Sequence, residues 1–330
     1  MPTASSASTA SSASSAARNR RDLLMLLDSA SLYFRAFYGV PDTVQAPDGT
    51  PVNAVRGLLD FIARLLTDRR PTRLVACWDD DWRPAWRVAV LPSYKAHRVE
   101  VESPGSDPDV ENTPDLLTPQ VPVIAEVLAA LGIARVGAAG YEADDVIATI
   151  ATAAACPVDV VTGDRDLFQL VDDARGIRVL YTARGVGKHE VVDEAKVTEK
   201  YAIPGRSYAD FALLRGDPSD GLPGVVGIGD KSAAALVRRF GDLGELLAAI
   251  DRADPAIPRA QLAKLAAAVD YLATAPVVVR VARDAVLADF DDRLPRTPRD
   301  PERLLALSDR WGLGGSLERV LVAMAAVGSD

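Results

Sequence analysis

The chain is short of the residues that several functional classes require. Its two cysteines, Cys77 and Cys156, are too few for a disulfide framework or a zinc knuckle. That scarcity points to a reducing cytoplasm, where structural disulfides are rare. The two histidines, His97 and His189, cannot furnish a histidine-rich metal site. No apolar run reaches the length of a membrane span, because Arg, Asp or Pro breaks the longest ones. Basic charge is also scarce: 37 Lys and Arg against 46 Asp and Glu give a net charge of −9. Nucleic-acid binders usually carry basic surface, so this balance at first argues against that class. Net charge is only a sum, however. Nine of the acids fall into one constellation, and the remaining chain is balanced and able to hold local basic patches.

What is present describes an ordinary soluble protein, 48% hydrophobic and 25% charged over 330 residues. That length suffices for a sizeable core and a second lobe. Met1 to Ala17 is almost wholly Ser, Ala and Thr, without the apolar stretch of a secretory signal. Arg18, Arg20 and Arg21 lend a faint transit-peptide character. Such a composition cannot bury a core, so residues 1–21 are expected to be a disordered tail.

After the tail, apolar runs alternate with helical patterns, which predicts an α/β fold with a largely parallel central sheet flanked by helices. Leu23 to Leu27, Leu74 to Trp78 and Val158 to Val161 read as buried strands. Val55 to Leu66, Val121 to Leu131 and Ala143 to Ala155 carry helical spacing. From about Ala209 the pattern is helical only, with Phe211 to Leu214, Lys231 to Phe240, Leu243 to Ile250 and Gln261 to Leu272 separated by Gly, Pro and Asp. The expected units are therefore 22–205, an α/β unit, and 206–330, a helical one. A polar stretch from Pro92 to Pro119 is too long for an ordinary connection.

The three expected strands end in Asp28, Asp79 and Asp164. Ligands of open α/β sheets bind beyond the carboxyl ends of the strands, so these acids should converge. A single strand-end Asp is commonplace as a turn or cap residue; three of three is not. Glu142, Asp144 and Asp145 crowd the start of one helix, where one acid would suffice for a cap. Asp164 and Asp166 sit two apart at a strand-to-helix turn, and Asp217 and Asp220 follow later. Carboxylates gathered this way are hard oxygen ligands suited to Mg²⁺ or Mn²⁺. The run Gly221 to Ser232 then leads through Gly227 and Gly229 to Lys231, Ser232 and a helix. Backbone N–H groups and a helix N-terminus there would face phosphate. The spacing is not that of a P-loop; it reads as a helix–hairpin–helix gripping a DNA backbone.

These residues resemble the 5′ nucleases of bacteria and phages, including the 5′-nuclease domain of DNA polymerase I, and more distantly the flap endonucleases. The landmarks, from about Leu23 to Leu321, are Leu27-Asp28 with Phe34 to Phe37, Trp78-Asp79, Tyr94 to Arg98, GYEADD, TGDRDLFQL and GDPSDGLPGVVGIGDK. The resemblance implies two ions, with Asp28, Asp79, Glu142, Asp144 and Asp145 toward one and Asp164, Asp166, Asp217 and Asp220 toward the other. It implies that residues 92–119 form an arch over the site, with Lys95 and Arg98 as its catalytic cations. Arg35, Arg83 and Arg87 are expected to contact DNA, with Gly227, Gly229, Lys231 and Ser232 in the hairpin, where a K⁺ is also implied. Arg83 and Arg87 fit solvated surface arginines equally well.

The implied activity is a structure-specific 5′→3′ exonuclease and flap endonuclease, acting on DNA with 5′ ends or flaps. The expected chain is a monomer without a polymerase domain, so a separate DNA polymerase or ligase would be its partner. The arch is expected to order on DNA binding, its acids Glu100 to Glu111 kept off the carboxylate site by repulsion. Ser29, Phe34 and Gly221 depart from the family pattern, Gly221 in a position that would loosen Asp220. A non-catalytic junction-binding protein and a small acidic-pocket RNase are the rival readings. The retained Asp217 and Asp220 disfavour the first, and the glycine-rich hairpin disfavours the second.

Overall fold

The computed structural model describes residues 22–99, 111 and 113–327. The expected tail, and residues 100–110 and 112 of the expected arch, lie outside the described residues. The sheet has six strands: β1 (Leu24–Asp28), β2 (Arg73–Cys77), β3 (Ala134–Val136), β4 (Val158–Thr162), β5 (Ile177–Tyr181) and β6 (Glu190–Val192). Their order is β3-β2-β1-β4-β5-β6, parallel throughout except for the antiparallel β5–β6 pair. Sequence periodicity found three of them. It missed β3 and β6, which are three residues long, and β5, where Arg178 interrupts the apolar run.

Alternation along the strands divides the core in two. Leu24, Leu26, Val75, Cys77, Val158 and Val160 face one side; Met25, Leu27, Leu74, Ala76 and Val161 face the other. Helices cover both sides, as parallel sheets require. They are α1 (Ser29–Gly39), α2 (Asn53–Arg69), α3 (Ala85–Val90), α4 (Gln120–Leu131), α5 (Ala143–Ala153), α6 (Glu194–Tyr201) and α7 (Tyr208–Arg215). After these come α8 (Asp230–Phe240), α9 (Leu243–Asp251), α10 (Arg259–Ala267), α11 (Val269–Thr274), α12 (Pro276–Val279), α13 (Pro301–Trp311) and α14 (Gly314–Ala326). The single helix expected over Gln261 to Leu272 is two, broken at Ala268.

The helices α7 to α12 extend the core of the first face through Tyr208, Phe211, Leu214 and Leu236. The last two do not join them. Leu304, Leu307, Leu317, Val320 and Met324 pack with Val55, Leu58, Ile62 and Leu66 of α2 on the second face. The helices expected over 206–330 thus pack on both faces of the sheet. An amphipathic helix buries its apolar stripe against whichever element offers a matching one, and α2 offers it from the far side of the sheet. Between the two regions, residues 280–300 cross the start of β2, where Asp292 O accepts from Leu74 N at 2.8 Å and Leu294 N donates to Thr72 O at 2.9 Å.

Leu317 is buried in this second cluster. Leu317→Ala is expected to cost about 2–5 kcal/mol, the range for a fully buried leucine, in equilibrium denaturation. A loss below about 1 kcal/mol would mean that α14 is peripheral to the fold rather than part of its core.

Candidate metal centre

Asp28 is the last residue of β1, and the chain leaves β1 toward β2 on one side and pairs with β4 on the other. That change of direction is where an open sheet leaves a crevice. Asp28 also starts α1. Its Oδ1 accepts from Ser31 N at 3.1 Å and its Oδ2 from Thr162 Oγ1 at 2.7 Å. Asp79 follows β2 and accepts from Ala143 N at 2.7 Å, in the first turn of α5. Asp164 follows β4 and accepts from Asp166 N at 2.9 Å. Asp217 begins the short turn after α7 and accepts from Ser219 N and Arg215 Nη2, both at 3.0 Å. Local capping chemistry thus brings acids from four separate segments to one end of the sheet.

Between them lies a cleft of about 430 Å³ lined by Asp28, Asp79, Glu142, Asp144 and Asp164, with Lys95, Arg98 and Arg165 among its cations. Asp166, Asp217 and Asp220 are buried behind this lining. Their proximity shows in their electrostatics. Burial, and then Asp164, Asp220 and Asp217, push the Asp166 carboxyl well above the usual range. Burial and Asp79 push Asp28 up to about 7, and burial and Asp28 raise Asp144 well above the usual range. Burial also raises Asp79 and Asp220. Glu142 is the exception. Burial alone would raise it, but Lys95 and Arg87 outweigh that and hold it below the usual range.

Several buried carboxylates that resist ionisation describe a place where positive charge is wanted. Asp166 Oδ1 is buried without a hydrogen-bond partner, which a hard cation would supply. Among the described residues, no three acids already stand as a closed cage. The side chains converge, but many oxygens are turned to local donors. Glu142 is paired with Lys95 and Arg87, and Asp220 with Arg98 at 3.1 Å. The donor set is all oxygen, with neither histidine nor cysteine in the cleft lining, and it fits Mg²⁺ or Mn²⁺ rather than a softer ion.

Residues 23–202 match the family described as "5'-3' exonuclease, N-terminal resolvase-like domain". Residues 203–302 match "5'-3' exonuclease, C-terminal SAM fold". The chain belongs to the 5′-3′ exonuclease family. A 5′-3′ exonuclease of Streptomyces coelicolor is 64% identical over 302 residues, 92% of this chain and 100% of the relative. One from Mycobacterium tuberculosis is 51% identical, covering 92% and 98% respectively. The fold is also that of the bacteriophage T5 flap endonuclease solved with DNA and metal ions, at 17% identity and a TM-score of 0.58 over 93% of this chain and 100% of that one. The chain is accordingly a 5′→3′ exonuclease, a hydrolase of phosphodiester bonds. No described helix is long and apolar enough to cross a membrane.

Several expected site residues have partners within the protein. Arg83 is buried, donating through Nε to Tyr94 O at 2.7 Å and through Nη2 to Pro92 O at 3.2 Å. Arg87 is buried against Glu142 and Asp145. Their guanidiniums are engaged with residues 92–94 and with the start of α5. Asp145 is wholly buried and both oxygens are taken, by Arg87, Ala282 N and Glu142 N. Arg35 lies beside the cleft, donating to Ala183 O at 3.2 Å.

Gly221 has φ +70°, and a Cβ there would meet Ser93 O at 2.0 Å. Its absence lets Ser93 to Lys95 dock on the turn, with Lys95 N donating to Asp220 O at 3.1 Å. Rather than standing loose, Asp220 is held by this bond and by Arg98. In the hairpin, Gly227 has φ +78° and Gly229 is the N-cap of α8. Lys231 is exposed in the first turn and Ser232 is half-buried beside it.

Sequence reasoning missed three groups. Tyr94 Oη donates to Glu142 Oε2 at 2.7 Å. Lys264 Nζ donates to Gly227 O at 3.1 Å. Glu111 lines the cleft, its carboxyl raised by burial and Asp79, so this one arch acid is not kept away by repulsion. Spacing gives no signal for any of the three, since each reaches its partner across the fold.

The Asp28 shift has a direct consequence for stability. Between the unfolded value of about 4 and the folded value of about 7, Asp28 is protonated in the fold and ionised in the unfolded chain. Stability contributed at low pH is therefore lost as pH rises through that window. In metal-free buffer Asp28→Asn should gain on the wild type steadily across this range in thermal unfolding. A difference independent of pH would mean that Asp28 ionises normally.

Proposed function

We propose that this exonuclease is structure-specific, cutting DNA at 5′ ends and flaps by a two-metal mechanism. The observation that carries the reading is the set of buried, mutually repelling carboxylates around one cleft, rimmed by Lys95, Arg98 and Arg165. Asp28, Asp79, Glu142 and Asp144 would hold one ion. Asp164, Asp166, Asp217 and Asp220 would hold the second. When bound, two ions roughly 3.5–4 Å apart supply an activated water and charge stabilisation for the attacking and leaving oxygens. The protein's own part is placement. The phosphodiester must leave the duplex stack to enter a cleft of this size, which favours frayed ends and flaps. Lys95 and Arg98, now paired with Glu142 and Asp220, are placed to exchange those acids for the phosphate and offset its developing charge.

Lys231 and the α8 N-terminus would grip the duplex through phosphates, which position the strand without reading its sequence. The hairpin would also take the K⁺ that the resemblance implies, through carbonyls other than that of Gly227, which Lys264 already occupies. Residues 22–205 and 206–330 are proposed as the catalytic and DNA-gripping regions. A monomer working beside a separate polymerase or ligase fits this division.

A 5′-flap DNA and a matched RNA, each incubated with Mg²⁺, test the proposal. Cutting of the DNA flap is expected, and Asp164→Asn should abolish it while DNA binding stays equal or tightens. RNA cut in preference would favour the RNase reading, and binding without cutting would favour a junction-binding protein. Lys231→Ala should weaken duplex binding for all sequences alike and reduce the salt slope by about 0.9. A sequence-selective loss would instead indicate base readout.

A further inference from the structure

Arg87 has no role in the mechanism above, yet it touches one of its acids, Glu142, together with the neighbouring Asp145. Its side chain is 3% exposed. The guanidinium forms a two-pronged pair with Asp145, Nη1–Oδ2 at 2.9 Å and Nη2–Oδ1 at 2.6 Å. The same Nη1 donates to Glu142 Oε2. Trp86 lies 4.5 Å from the guanidinium carbon and is itself tied through Nε1 to Gly140 O at 2.9 Å. Asp145 accepts in turn from Ala282 N at 2.7 Å and from Glu142 N at 3.2 Å. One arginine thus joins α3, the start of α5 and the segment that follows α12.

Stability alone is a weak explanation for this arrangement. Desolvating an arginine and two carboxylates costs about what their attraction returns, and apolar side chains of similar size hold a fold at least as well. What apolar groups cannot do is fix the direction of a neighbouring carboxylate. The planar fork of arginine does so, because two parallel bonds to Asp145 leave the outer edge of Nη1 only one aim, toward Glu142. Tyr94 Oη and Lys95 Nζ hold Glu142 from the other side. Lys95 can leave for a phosphate; Arg87, enclosed on every side, cannot.

We propose that Arg87 is a positioning residue for strand cleavage. Anchored by Asp145, it sets the orientation of Glu142 and locks the base of the arch to the cleft floor. Asp145 serves this pair and is not itself a metal ligand. The proposal rests on Glu142 ligating metal, as stated under Proposed function. An acid that must ligate a metal needs its own partners to hold its lone pairs in direction, and loss of such a partner typically costs about 10–100-fold in metal affinity or activity.

The test uses the full chain with Arg87→Met, Arg87→Lys, Asp145→Asn, the Arg87→Met/Asp145→Asn double variant and Glu142→Gln. Mn²⁺ affinity is read by electron paramagnetic resonance without DNA, kcat and KM on 5′-flap DNA with Mg²⁺, and folding by thermal unfolding. Arg87→Met and Asp145→Asn should each lower Mn²⁺ affinity and kcat by about 10–100-fold, with KM little changed. The double variant should be no worse than either single, since the two act as one unit. Wild-type Mn²⁺ affinity and kcat per folded Arg87→Met molecule, with only the melting temperature lowered, would overturn the proposal. So would an Asp145→Asn defect in Mn²⁺ affinity that Arg87→Met lacks, because Asp145 would then be a ligand. Should Arg87→Met fail to fold, Arg87→Lys keeps the charge, loses the fork and is held to the same criteria. Glu142→Gln separates the two levels: wild-type cutting by that variant means that the ligand reading has failed, not the positioning of Arg87.

Discussion

Gathering carboxylates at one end of a sheet is opposed twice, by desolvation and by their mutual repulsion. The raised carboxyls of Asp28, Asp144 and Asp166 record that opposition. Most of the local structure near the cleft can be understood as an answer to it. Thr162, Ser31 N and Ala143 N donate to Asp28 and Asp79, and Arg215 donates to Asp217. Lys95, Arg87 and Arg98 bring full positive charges. The sheet contributes the rigidity that keeps these groups from drifting apart, with apolar packing on both faces of β1, β2 and β4.

The same constraint joins parts that are distant in sequence. Residues 83–98 are fastened by Arg83 to Tyr94 O and Pro92 O, by Arg87 to α5, and by Lys95 N to the turn that carries Asp220. Gly221 is what allows that last approach. The segment after α12 reaches back to Asp145 through Ala282 N. Acids, residues 92–98 and helical region are therefore joined by direct contacts.

Much of this was legible in the sequence. Buried parallel strands are continuous apolar runs, so β1, β2 and β4 stood out, and each carried an aspartate at or just beyond its end. Capping chemistry made the Glu142 to Asp145 cluster conspicuous, because one acid would have satisfied the helix. What stayed hidden depends on tertiary contact. The burial of Arg83 and Arg87 follows from Tyr94 and Asp145 lying next to them in space, and nothing in their spacing distinguishes them from surface arginines. The return of α13 and α14 to α2 was equally hidden, since an amphipathic stripe does not name its partner. β5 was lost because Arg178 breaks its pattern, a charge made tolerable by the wholly buried Asp159 at 2.6 Å, which also binds Arg69 at 2.8 Å.

The central claim is that the cleft's acids exist to hold two divalent ions. Anomalous diffraction from crystals soaked in Mn²⁺ addresses it without relying on activity. The account requires two peaks roughly 3.5–4 Å apart, one against Asp28, Asp79, Glu142 and Asp144 and the other against Asp164, Asp166, Asp217 and Asp220. No peak in the cleft at saturating Mn²⁺, or a pair of peaks elsewhere on the molecule, would contradict it.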